Sequence, residues 1–137
     1  MLSTICACAK LRRSARIVSV IYDEALEPCG LSVAQFSLLR LLKRAGPSSL
    51  TQFAEAAGYD RSTLNRTLKP LEAAGLVVSS ASPDKRARIV TVTDEAEAAM
   101  RRGQPYWERA QRKIEDILGR DHAALFSILD RIEELRA

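Results

Sequence analysis

Between residues 10 and 27, apolar side chains recur at Leu11, Ala15, Val18, Ile21, Tyr22, Ala25 and Leu26. Spacings of three and four predict an amphipathic helix, with Lys10, Arg12, Arg13 and Arg16 mostly on its other face. Pro28 and Gly30 end it. Ser32-x-x-Gln35 reads as a capping box, each side chain satisfying an orphan backbone N–H, and opens a helix that carries Phe36, Leu39 and Leu42. Gly46-Pro47 stops that helix. Thr51 is expected to cap a short helix from Gln52 to Ala57, with Gly58 at its end. Asp60 caps a further helix from Arg61 to about Ala74, closed by Gly75, with Leu64, Leu68 and Leu71 as its apolar side. Pro70 inside it should remove a hydrogen bond to residue 66 and add a bend.

The period then changes. Residues 76–80 and 88–93 are short and β-branched, and Ala81-Ser82-Pro83-Asp84-Lys85-Arg86-Ala87 between them is polar and basic. Two short strands around such a loop predict a β-hairpin with an exposed tip. Thr93 caps a long helix, with Asp94 and Glu95 in its first turn, where the helix dipole favours anions. Ala96, Met100, Gly103, Trp107, Ala110, Ile114 and Ile117 keep helical spacing along it, and Pro105 should kink it. Gly119 ends it, and Asp121 is expected to cap a last helix with Leu125, Ile128, Leu129, Ile132 and Leu135. The pattern is therefore mainly α with a small β-hairpin. It divides into an N-terminal helical arm (1–30), a compact middle (31–93) and C-terminal helices (94–137).

Composition narrows the function. The 137 residues are one domain's worth, and 47% apolar with 28% charged is a globular balance. No stretch approaches ~18 continuous apolar residues, so no membrane span is expected. The N-terminus places its apolar segment before its basic one, the reverse of a secretory signal. Three cysteines are too few for a disulfide framework. The expectation is a cytoplasmic protein with reduced thiols. One histidine, no Gly-rich phosphate loop and no ligand cluster argue against an enzyme, and no cofactor or metal is expected.

The net charge of +4 matters more by its location than by its size. Residues 61–92 hold six Lys/Arg against two Asp/Glu, whereas residues 93–137 hold eight against ten. The positive excess thus coincides with one helix and the hairpin after it. Helix 52–57, the turn Gly58-Tyr59-Asp60 and helix 61–74 have helix-turn-helix organisation, in which the second helix enters the major groove of DNA. Its polar side carries Arg61, Ser62, Thr63, Asn65, Arg66 and Lys69. Arg66 suits a bidentate pair with guanine and Asn65 one with adenine. Ser62 and Thr63, with backbone N–H groups at the helix start, suit phosphate. The hairpin makes the helix-turn-helix winged, and its tip offers Lys85 or Arg86 to the backbone or a minor groove.

At this point the run LTQFAEAAGYDRSTLNRTLKPLEAAGLVVSSASPDKRARIVTVTDEA resembles the winged helix-turn-helix of the MarR family of bacterial transcription regulators. The matching residues are Gln52-Phe53-Ala54, Asp60-Arg61-Ser62-Thr63-Leu64-x-Arg66, Leu71-Glu72-x-x-Gly75-Leu76, Asp84-x-Arg86 and Val92-Thr93. Two positions depart from the pattern: Ser79 stands where a basic residue often follows the first wing strand, and Ala96 where a glycine is usual. The resemblance implies a homodimer, interlocked through its N- and C-terminal helices, that offers one winged helix to each half of a pseudo-palindromic operator in double-stranded DNA. It also implies that Asp84 holds Arg86 by a salt bridge while Arg86 enters the minor groove. Apolar stripes on both arms, too many for so small a central core, support a dimer independently. With Lys85 and Arg88 adding phosphate contacts, about four neutralised phosphates per subunit give a log–log salt slope near roughly −7.

The effector is read from three features. Tyr22, Phe36, Tyr59, Tyr106 and Trp107 are candidates to line a cleft for a small aromatic ligand, a mode the resemblance implies. Cys6-x-Cys8, at the start of the first helix and near Lys10, Arg12 and Arg13, is placed for a reactive thiolate. Cys8 matches the peroxide-sensing cysteine of the organic-hydroperoxide branch of the family, and Tyr22 matches a tyrosine that hydrogen-bonds it. Arg12 replaces a second such tyrosine, and no cysteine follows residue 29 to act as a resolving thiol in the C-terminal helices. Oxidised Cys8 would turn to Cys6, the partner subunit or a small thiol. Cys29 lies about 30 Å along the helix from Cys8 and is read as structural. The alternatives are soft-metal or arsenite binding by the Cys6–Cys8 pair, cysteines that only pack at a dimer interface, and a helical dimer that binds protein instead of DNA.

Overall fold

A computed structural model describes residues 1–136. Helix α1 runs Ala7–Leu26, three residues earlier than the apolar period indicates, because Cys6 caps it: its Sγ accepts the Ala9 N–H at 3.5 Å. Helix α2 (Val33–Ala45) opens on the capping box Ser32/Gln35, both of whose hydrogen bonds form at 3.1 Å. The next element corrects the expectation. Ser48–Ser49 form a two-residue strand β1, and Ser49, not Thr51, caps helix α3 (Leu50–Ala57) through a 3.1 Å bond to the Gln52 N–H. Two serines after a Gly-Pro stop carry no β-branched signal, so this strand exists only through its partner.

Helix α4 spans Arg61–Ala73, strand β2 Val77–Ala81 and strand β3 Arg88–Val92. The sheet is antiparallel with order β1-β3-β2, pairing Ser48 with Val90 and Ser79 with Val90 across the central strand. It is thus three-stranded, not a bare hairpin. Helix α5 (Asp94–Leu118) is capped by Thr93, whose hydroxyl also donates to the Gly75 carbonyl at 2.8 Å and ties the end of α4 to the start of α5. Helix α6 (His122–Glu133) lacks the cap expected from Asp121, which sits in a 3-10 turn over Gly119–Asp121 and makes no capping bond. Pro70 and Pro105 lie inside α4 and α5, and both are exposed.

One core joins the end of α1, the helices and sheet of the middle segment, and the start of α5. Phe36 is its largest fully buried side chain, and α5 closes on it at Gly103, where an added Cβ would lie 2.8 Å from the Phe36 ring. Only glycine lets the helix approach that far. The arms are different. Helix α6 has no buried residue, and Phe126, Ile128 and Ile132 are each more than 40% exposed. Ile17 and Val20 on α1 and Ile117 on α5 are exposed as well. No helix among the described residues is long and apolar enough to cross a membrane.

Candidate nucleic-acid interface

Helix α3 ends at Gly58, whose φ of 72° is a left-handed turn that favours glycine. Tyr59 then stacks on Phe53, ring centroids 6.3 Å apart, which anchors the turn to α3. Asp60 caps α4, its carboxylate accepting from the Ser62 hydroxyl and from the Thr63 N–H at 3.2 Å. These bonds hold the Asp60 carboxyl below the ordinary carboxylate range, the Ser62 hydroxyl contributing most. Ser62 and Thr63 are therefore engaged with the cap, and offering themselves to phosphate requires sharing those hydrogens.

Leu64, Leu68 and Leu71 bury the inner side of α4. At about 100° per residue the opposite side presents Ser62, Arg66 and Lys69. Arg66 is exposed, and its Nη2 makes a 3.3 Å bond to the Thr63 hydroxyl that leaves its remaining donors free. Asn65 lies on the flank, half-buried in a cleft lined also by Lys69, Glu72, Arg88 and Val90, between α4 and the wing base. Arg61 is exposed at the first turn.

The wing tip is a tight, self-bonded turn. Lys85 N–H donates to the Ser82 carbonyl and Ser82 N–H to the Ala87 carbonyl, both at 2.8 Å. Lys85 takes a positive φ of 60°, uncommon outside glycine, and this turns Lys85 and Arg86 outward. Asp84 accepts from the Ser82 hydroxyl and from the Arg86 backbone N–H, and the first of these chiefly lowers its pKa. The Asp84–Arg86 ion pair implied by the resemblance is present at 4.0 Å, with the two side chains 62% and 88% exposed. A pair that open to water restrains Arg86 weakly; Asp84 holds the turn more than the guanidinium. Arg88 is occupied: its guanidinium contacts Glu72 at 3.1 Å and Ser79 at 2.7 Å.

The sensor candidates do not assemble into one site within the chain. Cys6 and Cys8 are exposed at the start of α1, and Tyr22 is buried 14 residues on, roughly 21 Å along the helix. The Tyr22 hydroxyl donates to Gln111, and burial, then the nearby Glu115 carboxylate, raise its pKa, so it remains a donor. Of the five aromatic candidates, Tyr22 and Trp107 meet, with centroids 6.3 Å apart, while Tyr59 belongs to the α3–α4 turn. Arg40 lies 4.5 Å from the Trp107 ring and 5.6 Å from the Phe36 ring. Nothing in the sequence marks Arg40 or Gln111, and the sequence marks Glu72 and Ser79 only by position in the family pattern, not as partners of Arg88; Arg40 has the i+4 relation to Phe36, visible only in retrospect.

Residues 31–87 match the model of the MarR family. The transcriptional regulator MosR of M. tuberculosis, solved in complex with DNA, superposes with a TM-score of 0.82 at 31% identity, over 96% of this chain and 99% of that one. The chain belongs to the MarR family. The transcriptional repressor CouR, bound to a 23-mer DNA duplex, is similar at a TM-score of 0.81 and 32% identity over 93% of this chain and 92% of its own. The HTH-type transcriptional regulator YwoH of Bacillus subtilis is 35% identical over 88 residues. That alignment spans 64% of this chain and 64% of YwoH, just under two thirds of the relative's length. As in other MarR-family proteins, the winged helix-turn-helix here lies between N- and C-terminal helices.

Proposed function

We propose that the protein is a homodimeric, sequence-specific DNA-binding transcriptional regulator, a repressor on a pseudo-palindromic operator, and not an enzyme. The observation that carries the proposal is the pairing of two exposed arginines on adjoining elements: Arg66 on the outer side of α4 and Arg86 at the wing tip. One suits a guanine edge in the major groove, the other the negative potential of a minor groove. Arg61, Lys69 and Lys85 add charge for the phosphates beside them, and Ser62, Thr63 and Asn65 complete the expected contacts. Gel-shift on DNA upstream of its own gene tests this. Absence of sequence preference would overturn it and would favour a helical dimer that binds protein.

The dimer is supported by α6, an amphipathic helix that buries nothing within its own chain. Replacing Ile128 and Ile132 together by glutamate is expected to yield monomers in analytical ultracentrifugation. Operator affinity should fall at least ~100-fold, because two linked half-site contacts become one. A dimer that survives both charges would place the interface elsewhere.

For the effector, one reading is a small aromatic ligand inserted at the Tyr22–Trp107 contact, where Arg40 lies 4.5 Å from the Trp107 ring. A thiol reading is favoured by the exposure of both Cys6 and Cys8 and by the use of the Cys6 sulfur as a helix cap. Under the thiol reading, a hydroperoxide weakens DNA binding by the native protein and leaves the Cys8→Ser protein unaffected. An equal response from both proteins discards it.

A further inference from the structure

Arg88 belongs to a closed contact among three elements. Its Nη2 lies 3.1 Å from Glu72 Oε1 on α4 and 2.7 Å from Ser79 Oγ on β2, and its Nε lies 3.0 Å from the same hydroxyl. The Ser79 hydroxyl in turn lies 3.3 Å from Glu72 Oε1. Among the described residues this is the one ion pair that joins α4 to the sheet. Glu72 is 30% exposed, so the pair is better shielded from water than the Asp84–Arg86 pair at the tip. A serine at 79 is small enough to leave this space to the guanidinium.

The position of the contact gives it leverage. Glu72 sits near the end of α4, just before the chain turns through Gly75 into β2. Pro83 at the tip lies four positions beyond Ser79, at most about 13 Å along the chain. A rotation of about 10° at the wing base would move the tip by roughly 2 Å, enough to break a hydrogen bond made there.

We propose that Arg88 is a positioning residue and not a phosphate ligand. With Glu72 and Ser79 it fixes the angle between wing and recognition helix, and thereby the distance between the contacts of Arg66 and Arg86. The proposal rests on the DNA-binding reading for its consequence, but the brace itself exists without DNA. It also revises the salt slope: Arg88, neutralised by Glu72, contributes nothing to it.

The discriminating variant is Glu72→Gln in the full-length protein. It removes a negative charge close to the proposed DNA surface, so a bystander Glu72 predicts tighter binding. The brace predicts the opposite sign: operator affinity about tenfold weaker in fluorescence anisotropy. Arg88→Ala should weaken binding similarly and leave the salt slope unchanged, whereas a lost phosphate contact would reduce it by about 0.9 per subunit. The charge swap Glu72→Arg with Arg88→Glu should recover most of the loss. Tighter binding by Glu72→Gln, together with a shallower slope for Arg88→Ala, would overturn the proposal. Should Arg88→Ala fail to fold, the sign for Glu72→Gln still decides. Amide exchange separates the two readings if native protein binds no DNA. Faster exchange across 79–88 in Glu72→Gln then supports the brace while the regulator reading fails, and unchanged exchange overturns the brace itself.

Discussion

Replacing Arg66 and Arg86 together by alanine is expected to lower operator affinity at least ~10³-fold while leaving the protein folded. A bidentate arginine–guanine pair contributes about 1–3 kcal/mol of discrimination. In a symmetric dimer each substitution acts twice, so Arg66 alone removes about 2–6 kcal/mol. A similar contribution from Arg86 in the minor groove gives a lower bound near 4 kcal/mol, and every 1.4 kcal/mol is about tenfold. The fold should hold because both side chains are exposed, and surface changes of this kind stay within about 0.5 kcal/mol. Affinity for unrelated DNA should fall much less, since Arg61, Lys69 and Lys85 retain their charge. A loss below tenfold, or an equal loss on operator and unrelated DNA, would contradict the assigned roles.

The two arginines were legible from sequence for different reasons. Arg66 follows from an N-cap at Asp60 and an apolar row at Leu64, Leu68 and Leu71: fix those and the helix phase places residue 66 outward. Arg86 follows from a polar run between two β-branched segments, which can only be a hairpin tip. Arg88 was not legible. Its partners lie nine and sixteen residues away on other elements, and one of them is a serine, so no local pattern announces the brace. Strand β1 was hidden likewise, because Ser48 and Ser49 become a strand only when Val90 and Ile89 pair with them. The caps divide along the same line. Ser32, Asp60 and Thr93 cap where expected because the residues after them start a clean helical period. Asp121 follows Gly119 within a tight turn that holds its backbone at φ −84° and ψ −2°, outside the extended conformation capping needs. Helical phase and capping chemistry are local and readable; pairings made by tertiary approach are not.

The approach of α5 to α2 is the clearest such pairing, and Phe36→Ala should expose it. The ring is fully buried, so its loss removes about 3–5 kcal/mol, a large share of a domain's typical 5–15 kcal/mol. Thermal unfolding should shift by roughly 10 °C or more. Arg40 lies over both Phe36 and Trp107, and Trp107 is the sole tryptophan, so its emission should report the loosened seam directly. Gly103 supplies the sharper test. In the native background Gly103→Ala gains about 1 kcal/mol of helix propensity but drives a Cβ to 2.8 Å from a ring with nowhere to move, an overpacking worth about 1–3 kcal/mol. The net effect is destabilising. Once residue 36 is alanine the clash is gone and only the propensity gain remains, so the same substitution should stabilise. Denaturation of the single and double variants measures both signs. If Gly103→Ala has the same sign in both backgrounds, the glycine is not held by Phe36, and the seam between the helical arm and the DNA-binding lobe is packed some other way.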